Sequence, residues 1–212
     1  MSFGTYARRV RDRDLSYAMR YCSLRCAVSR YSPIGFHATW SFLSTVGNLK
    51  RDEEALLRAL DVLETSRAAW LADVEDFAAR RSAEKQERHQ RTPSESERRH
   101  FSIYRWPGPD GHAAVLHTIG PLWKAHLAEP FPEMPSESKA SFVYLDTTIA
   151  GCVSTYLSNG GTLDRGNRRL LIACLDAARD LLPSLGYPTD YHTAYSYFGR
   201  LHKVAALVIS DL

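Results

Sequence analysis

The side chains best suited to surface chemistry are the arginines and tyrosines near the start of the chain. Residues 1–30 contain seven arginines and two aspartates, a local charge of +5. Arginine and tyrosine together can stack on nucleic-acid bases, and they are also frequent hot spots of protein–protein interfaces. We therefore predict a partner-binding face that includes Arg9, Arg13, Tyr17, Arg20 and Tyr21. The alternative is a solvated helix face that lies opposite a buried stripe of cysteines.

A second basic segment, "ARRSAEKQERHQRTPSESERRH", covers residues 79–100. A mobile segment of this kind can contact phosphates without reading bases, and the arginines that would do so are Arg80, Arg81, Arg88, Arg98 and Arg99. The interspersed glutamates repel phosphate, and the spacing of arginine and histidine does not fit a catalytic pair on one helix. We predict a flexible charged connector at about 80–100. Nucleic-acid binding or helical nuclease activity through residues 8–30 and 80–105 is the alternative function.

A tyrosine-rich segment, "YPTDYHTAYSYFGRLH", covers residues 187–202. Tyr191 and Tyr195 are four positions apart and share one face of a helix. Tyrosines can line a partner-binding face or a ligand pocket, because the ring is apolar and the hydroxyl is polar. We assign both residues to the predicted partner-binding set. A helical enzyme with a small-molecule pocket near Tyr191, His192 and Tyr195 is a second alternative.

Metal, cofactor and nucleophile signatures are not found in the sequence. Cys22 and Cys26 could present two sulfurs on one helical face, but no second pair has the spacing of a zinc site. There is no H-E-x-x-H motif and no G-x-S-x-G nucleophile elbow. Cys152 falls in an apolar stripe, where a buried thiol is unreactive. We predict no metal and no cofactor.

The elements that must position these side chains are predicted to be helical. The fold class is all-α, a bundle of about six to seven helices, with one small β-hairpin near residues 100–118 as a further possibility. The alternative for the second strand of this hairpin is a helix that begins in "DGHAAVLHTIG". Residues 12–30 carry an apolar stripe of Leu15, Met19, Cys22 and Cys26. A short helix follows in "FHATWSFLSTV", and another begins at Gly120-Pro121 and ends near Leu127.

Longer stripes predict the core helices. From residue 50 onward one helix carries a regular seam, in which the pair Thr65-Ser66 is a candidate break: Leu56, Leu60, Leu63, Trp70, Val74 and Phe77. Three further helices are predicted after a Pro-rich loop at about 129–136, with caps at Ser136, Thr162 and Asp190. Their stripes are Phe142, Leu145, Ile149, Cys152 and Tyr156, then Leu171, Cys174, Ala178 and Leu181, then Ala194, Phe198, Leu201, Ala205 and Val208.

Length and composition set the class of protein. The chain has 212 residues, 44% hydrophobic and 24% charged, which is typical of one globular domain spanning 1–212. No apolar run is long enough to span a bilayer, and the start of the chain lacks the apolar core of a secretory signal. Four cysteines do not form a disulfide framework, so we expect a cytoplasmic protein with no membrane contact. The predicted function is binding of a macromolecular partner, in a regulatory, toxin-neutralising or assembly-subunit role, through a protein partner or self-association, with nucleic acid as another partner class.

Overall fold

The computed structural model describes residues 1–88, 105–186 and 190–212, and it describes the side chains of all of these except positions 87 and 88. Within these ranges the chain forms eight α-helices and no strand. In chain order the helices are α1 Phe3–Arg11, α2 Tyr17–Arg30, α3 Phe36–Leu43, α4 Glu53–Arg88, α5 Gly111–Ala128, α6 Ser136–Ser158, α7 Arg165–Leu181 and α8 His192–Asp211. The all-α prediction is therefore confirmed. No described helix is both long enough and apolar enough to cross a membrane.

The described residues form two compact units, Met1–Ala114 and Val115–Leu212. The first contains α1 to α4 and the first turn of α5, and the second contains the rest of α5 with α6, α7 and α8. A single domain over 1–212 stays a prediction. Each unit is described separately below.

The predicted hairpin at 100–118 is wrong over the part that the structure describes. Residues 111–118 belong to α5, whereas 101–104 lie outside the described residues. Val115, Ile119 and Trp123 are buried and four positions apart, which is a helical period that continues past the segment interpreted as a strand. Pro121 lies inside α5 and not at its first turn, so one long helix replaces the predicted hairpin and short helix. A tight turn precedes it, since a Cβ on Gly111 would lie 2.3 Å from the carbonyl oxygen of Trp106.

A short first helix, α1, was not predicted, which brings the described count to eight and not the predicted six to seven. The Ser2 side chain accepts a hydrogen bond from the Thr5 amide and caps this helix. Phe3, Ala7 and Val10 are buried at spacings of four and three. This stripe is short, but it is the signal from which the helix could have been predicted.

The helix α2 begins at Tyr17, later than predicted, and buries a different face from the predicted one. Its buried residues are Arg20, Ser23, Leu24, Ala27 and Val28. Met19 is 44% exposed, Cys22 is exposed and Cys26 is half-buried. The predicted core stripe of this helix is therefore largely accessible. The helix carries two low-polarity stripes, and the described core covers only one.

Arg20 fixes which stripe of α2 faces inward. Its side chain is 5% exposed, its Nε donates to the Val10 carbonyl at 2.7 Å, and its Nη2 lies 3.0 Å from the Glu53 carboxylate. The hydrogen bond from Arg20 lowers the pKa of Glu53. Arg20 therefore joins the end of α1 and the start of α4 to the start of α2.

The long helix α4 is continuous through Thr65-Ser66, so the predicted break is absent. Ser66 is buried and hydrogen-bonds the Tyr31 hydroxyl at 2.9 Å, which explains why a polar residue sits in the seam. Leu56, Leu60 and Leu63 are fully buried as predicted, whereas Trp70 is 40% exposed. The second half of the predicted seam is therefore only partly covered.

The helices of the second unit follow the predicted stripes closely. Every predicted core residue of α6 and α8 is buried, and so are those of α7 except the half-buried Leu181. Asn159, Gly160 and Gly161 end α6 as predicted. The caps differ: Asp164 and not Thr162 accepts from the first amides of α7, Pro135 precedes α6, and Tyr191 precedes α8.

His202 lies on α8 and is half-buried. Burial, helped by the charge of Arg179, lowers the pKa of His202 below its ordinary 6.5. The unfolded chain therefore binds this proton more readily than the folded chain. The contribution of neutral His202 to the free energy of unfolding is fully present above about pH 6.5, the ordinary pKa of histidine. This contribution is lost as the pH falls through the lower pKa of His202 in the folded chain.

Replacing Arg20 with methionine should lower the free energy of unfolding by about 1–3 kcal/mol, because the Val10 carbonyl loses its buried donor. Urea denaturation measures the change. Arg8→Met, at an exposed position of α1, is the matched control and should stay within about 0.5 kcal/mol of the natural chain. Equal losses for both variants would contradict the structural role of Arg20.

Replacing His202 with glutamine should reduce the loss of stability on acidification, because the neutral amide does not titrate. Urea midpoints at about pH 7.5 and pH 5 measure this loss. The variant is expected to show a smaller drop than the natural chain, whereas His37→Gln, at an exposed position of α3, should leave the drop unchanged. An unchanged drop in His202→Gln would contradict the assignment.

Candidate functional site

The uncovered side of α2, with one neighbour from α3, is the candidate site of the first unit. We define the outer face as Met19, Tyr21, Cys22 and Arg25 of α2 together with Trp40 of α3. Cys22 and Arg25 are exposed, and Tyr21 and Trp40 are half-buried. The face follows from the rotation of α2, which directs Leu24 and its neighbours into the core.

Aromatic and cationic side chains are already in contact on this face. The Tyr21 and Trp40 rings meet edge to face, with centroids 5.5 Å apart and planes at 84°. The Arg25 guanidinium carbon lies 5.8 Å from the Trp40 ring centroid, within the range of a cation–π contact. An arginine held against a tryptophan loses less side-chain freedom on binding, and both residue types are common hot spots.

The charge on this side of the unit is positive. Neither α1 nor α2 contains an acidic residue. Arg11 is neutralised by Asp61 and Glu64, each at 2.6 Å, and Arg13 lies 3.3 Å from Glu53. Arg8, Arg25 and Arg30 make no ion pair with the residues that the structure describes. Uncompensated positive charge is therefore present on α1 and α2 at Arg8, Arg25 and Arg30.

The predicted partner-binding residues near the start of the chain have different roles in the structure. Tyr21 is on the outer face, whereas Arg20 is buried. The Tyr17 hydroxyl lies 3.0 Å and 2.9 Å from the carbonyl oxygens of Leu49 and Asp52, so it holds α2 against the start of α4. Arg13 is 80% exposed but paired with a carboxylate, and an Arg9 nitrogen lies 3.7 Å from the Met1 sulfur. Sequence reasoning missed Trp40 and Arg25, whose contact joins two helices.

The second basic segment carries less uncompensated charge than the sequence suggests. Arg80 is exposed on α4, but Arg81 pairs with Glu84 at 2.6 Å. Arg105 pairs with Asp73 at 2.5 Å. The Arg88 side chain, Arg98 and Arg99 lie outside the described residues, as does most of the predicted connector.

The structure places the predicted tyrosine pair of the second unit at the beginning of α8. Tyr191 is 38% exposed just before α8, and Tyr195 is half-buried. A third tyrosine, Tyr197 of α8, is 5% exposed and meets a carboxylate of α6.

Tyr197 forms a cluster with Asp146 of α6 and His126 of α5. Its hydroxyl donates to Asp146 Oδ1 at 3.0 Å, and His126 Nε2 lies 3.4 Å from the same oxygen. The His126 ring stacks on Trp123 with centroids 5.2 Å apart and approaches the Tyr197 ring at 4.4 Å. The three polar groups come from helices far apart in the sequence, so no local motif indicated them.

The chemistry open to this cluster is hydrogen bonding around one carboxylate. Burial, followed by the hydrogen bond to Asp146, raises the pKa of Tyr197 above its usual range. The phenol therefore stays protonated and serves as a donor. His126 Nδ1 is buried and has no hydrogen-bond partner among the described residues. The cluster contains no serine, cysteine or lysine.

The cysteines and the possible metal ligands form no recognisable site by the usual criteria within the described ranges. All four cysteines are free thiols, and burial raises the pKa of both Cys152 and Cys174. Within the described ranges no three side chains among histidine, cysteine, aspartate and glutamate form a group that could hold a metal ion. The absence of a cofactor stays a prediction.

Replacing Tyr197 with phenylalanine should cost about 1 kcal/mol of stability, because Asp146 loses a buried donor. Thermal or urea denaturation measures the loss. Tyr144→Phe, which removes a hydroxyl from a side chain that is 62% exposed on α6, should leave stability unchanged. A loss no larger than that of the control would show that the hydroxyl contributes nothing to the cluster.

Comparison with known proteins gives no family for this chain. No family model, no curated protein and no solved structure matches it. Function is therefore inferred from the residues and their geometry alone.

Proposed function

We propose that the chain is a partner-binding protein whose first unit docks an acidic protein surface on the outer face. The observation that carries this proposal is the second stripe of α2, which has low polarity and is left uncovered by the described core. Burying such a stripe against a partner is favourable because apolar area leaves water. Regulatory, toxin-neutralising and assembly roles all require such a surface.

The side chains of the outer face favour a protein over a nucleic acid. Ala18, Cys22 and Ser29 are small and exposed along the same side of α2 as this face, so a partner helix could approach closely. A phosphate-binding surface requires several uncompensated cations, and pairing of Arg11, Arg13 and Arg81 with carboxylates leaves fewer of them than the sequence contains. Nucleic-acid binding is therefore the less favoured alternative.

The charge of the face favours an acidic partner over a second copy of the chain. Because α1 and α2 lack carboxylates, two copies meeting through this face would bring Arg25 of each close to positive charge. A partner with an apolar helix flanked by aspartates or glutamates would instead pair with Arg25 and Arg30. Opposite charges also increase the rate of association.

The four free cysteines support a reducing cellular compartment for this interaction. Cys22 is exposed and remains a free thiol, as do the other three cysteines. Free thiols are typical of reducing compartments. We therefore include a cytoplasmic location in the proposal.

Site-specific photocrosslinking tests the docking surface. A benzophenone amino acid at position 22 should crosslink an acidic protein in lysate, whereas the same group at position 144 of α6 should not. Arg25→Glu should reduce the crosslinked yield by about tenfold or more, as expected for a hot-spot arginine. Arg80→Glu makes the same charge change on exposed α4 and should leave the yield unchanged. Circular dichroism checks that each variant is folded.

The crosslinked species also distinguishes the alternatives. The product should be resolved by mass spectrometry, and affinity should then be measured with the purified partner. A product of twice the chain mass would favour self-association, and a nuclease-sensitive product would favour nucleic-acid binding. Either product, or equal crosslinking from positions 22 and 144, would contradict the proposal.

A further inference from the structure

Three sulfur-containing side chains lie along one accessible side of α2. Met19, Cys22 and Cys26 have spacings of three and four, which places them within about 60° around the helix axis. Met19 is 44% exposed, Cys22 is exposed and Cys26 is half-buried. The other two cysteines, Cys152 and Cys174, are buried in the second unit. The accessible thiols are therefore concentrated at one place in the described part of the chain.

The helix holds the two thiols at a separation that suits a bridging ion better than a disulfide. Side chains four positions apart have Cβ atoms about 5–6 Å from each other. A disulfide requires Cβ atoms at about 3.5–4.5 Å, so Cys22 and Cys26 cannot be joined directly without distorting α2. Two metal–sulfur bonds of about 2.3 Å each span about 4.6 Å, a distance that two cysteine sulfurs on this face can adopt.

We propose that Cys22 and Cys26 bind a soft monovalent cation of the copper(I) type, with the Met19 thioether as a weaker third donor. Thiolate and thioether sulfur are the ligands that copper(I) prefers. Binding converts two thiols to thiolates and releases two protons, and the metal keeps its oxidation state. The resulting complex carries one negative charge.

The charges around the sulfur stripe favour such a complex and disfavour hard cations. Arg25 lies next to Cys26 in sequence and one turn from Cys22, and Arg30 is one turn beyond Cys26. Both guanidiniums can balance an anionic bis-thiolate. The absence of carboxylates in α2 removes the oxygen ligands that magnesium and calcium require. Zinc usually takes four ligands in structural sites, and two thiols with one thioether fall short of that number.

A competition titration tests the site on the full-length, reduced chain. Under anaerobic conditions, copper(I) should transfer from the colorimetric chelator bicinchoninate to the protein. One copper(I) ion should bind per chain. Cys22→Ser and Cys26→Ser should each weaken binding by about 100-fold or more, because losing a ligand costs at least as much as losing its supporting residue. Met19→Leu should weaken it less. Cys174→Ser is the matched control and should bind as the natural chain does.

Alkylation of the natural chain gives a second readout that requires no substitution. Copper(I) should protect Cys22 and Cys26 from iodoacetamide, as measured by mass spectrometry, while Cys152 and Cys174 stay unreactive with or without the ion. Unchanged affinity in Cys22→Ser, binding of zinc(II) as tight as that of copper(I), or no protection would overturn the proposal. The site does not depend on the proposed docking function, since a chain that crosslinks its partner but binds no copper(I) would contradict the metal site alone.

Discussion

The buried guanidinium of Arg20 is the interaction on which the first unit depends. It connects a carbonyl at the end of α1 to a carboxylate at the start of α4 through the start of α2. Because both partners lie on the same side of α2, they fix the rotation of that helix about its own axis. That rotation places Leu24 and Val28 in the core and leaves the sulfur-containing stripe accessible. The docking and metal-binding proposals both rest on this geometry.

Polar contacts to carboxylates help to organise the helices of each unit. In the first unit arginines pair with carboxylates, as in the contact of Arg11 with Asp61 and Glu64. In the second unit tyrosine hydroxyls donate to carboxylates, Tyr197 to Asp146 and Tyr156 to Asp211. Exposed ion pairs weaken as salt increases, whereas a phenol–carboxylate hydrogen bond is lost when the phenol ionises. The pKa of Tyr156 is raised by burial and by Asp211, so its hydrogen bond persists over the ordinary pH range.

Apolar periodicity predicted the core face correctly in helices that carry only one apolar stripe. The stripes of α6 and α8 are single and long, and all their predicted residues are buried. In α2 two stripes compete, and the deciding contact is made by Arg20 with a residue 33 positions away, which no local pattern contains. In α5 the pair Gly120-Pro121 suggested the start of a new helix, but the helix continues through both residues. The cluster of His126, Asp146 and Tyr197 was missed for the same reason as Arg20, since its members come from three helices and share no spacing.

The uneven burial of α4 has a consequence for local stability. Up to Ser66 this helix contributes fully buried leucines, but beyond Ser66 none of its described side chains is fully buried. Its later turns are only partly covered, and their polar contacts include Arg81 with Glu84 in the same helix and Asp73 with Arg105 outside it. Opening of such turns costs less free energy than opening of the core, so backbone amides there exchange with solvent through local fraying. The end of α4 can therefore unwind by several turns while Leu56, Leu60 and Leu63 remain packed.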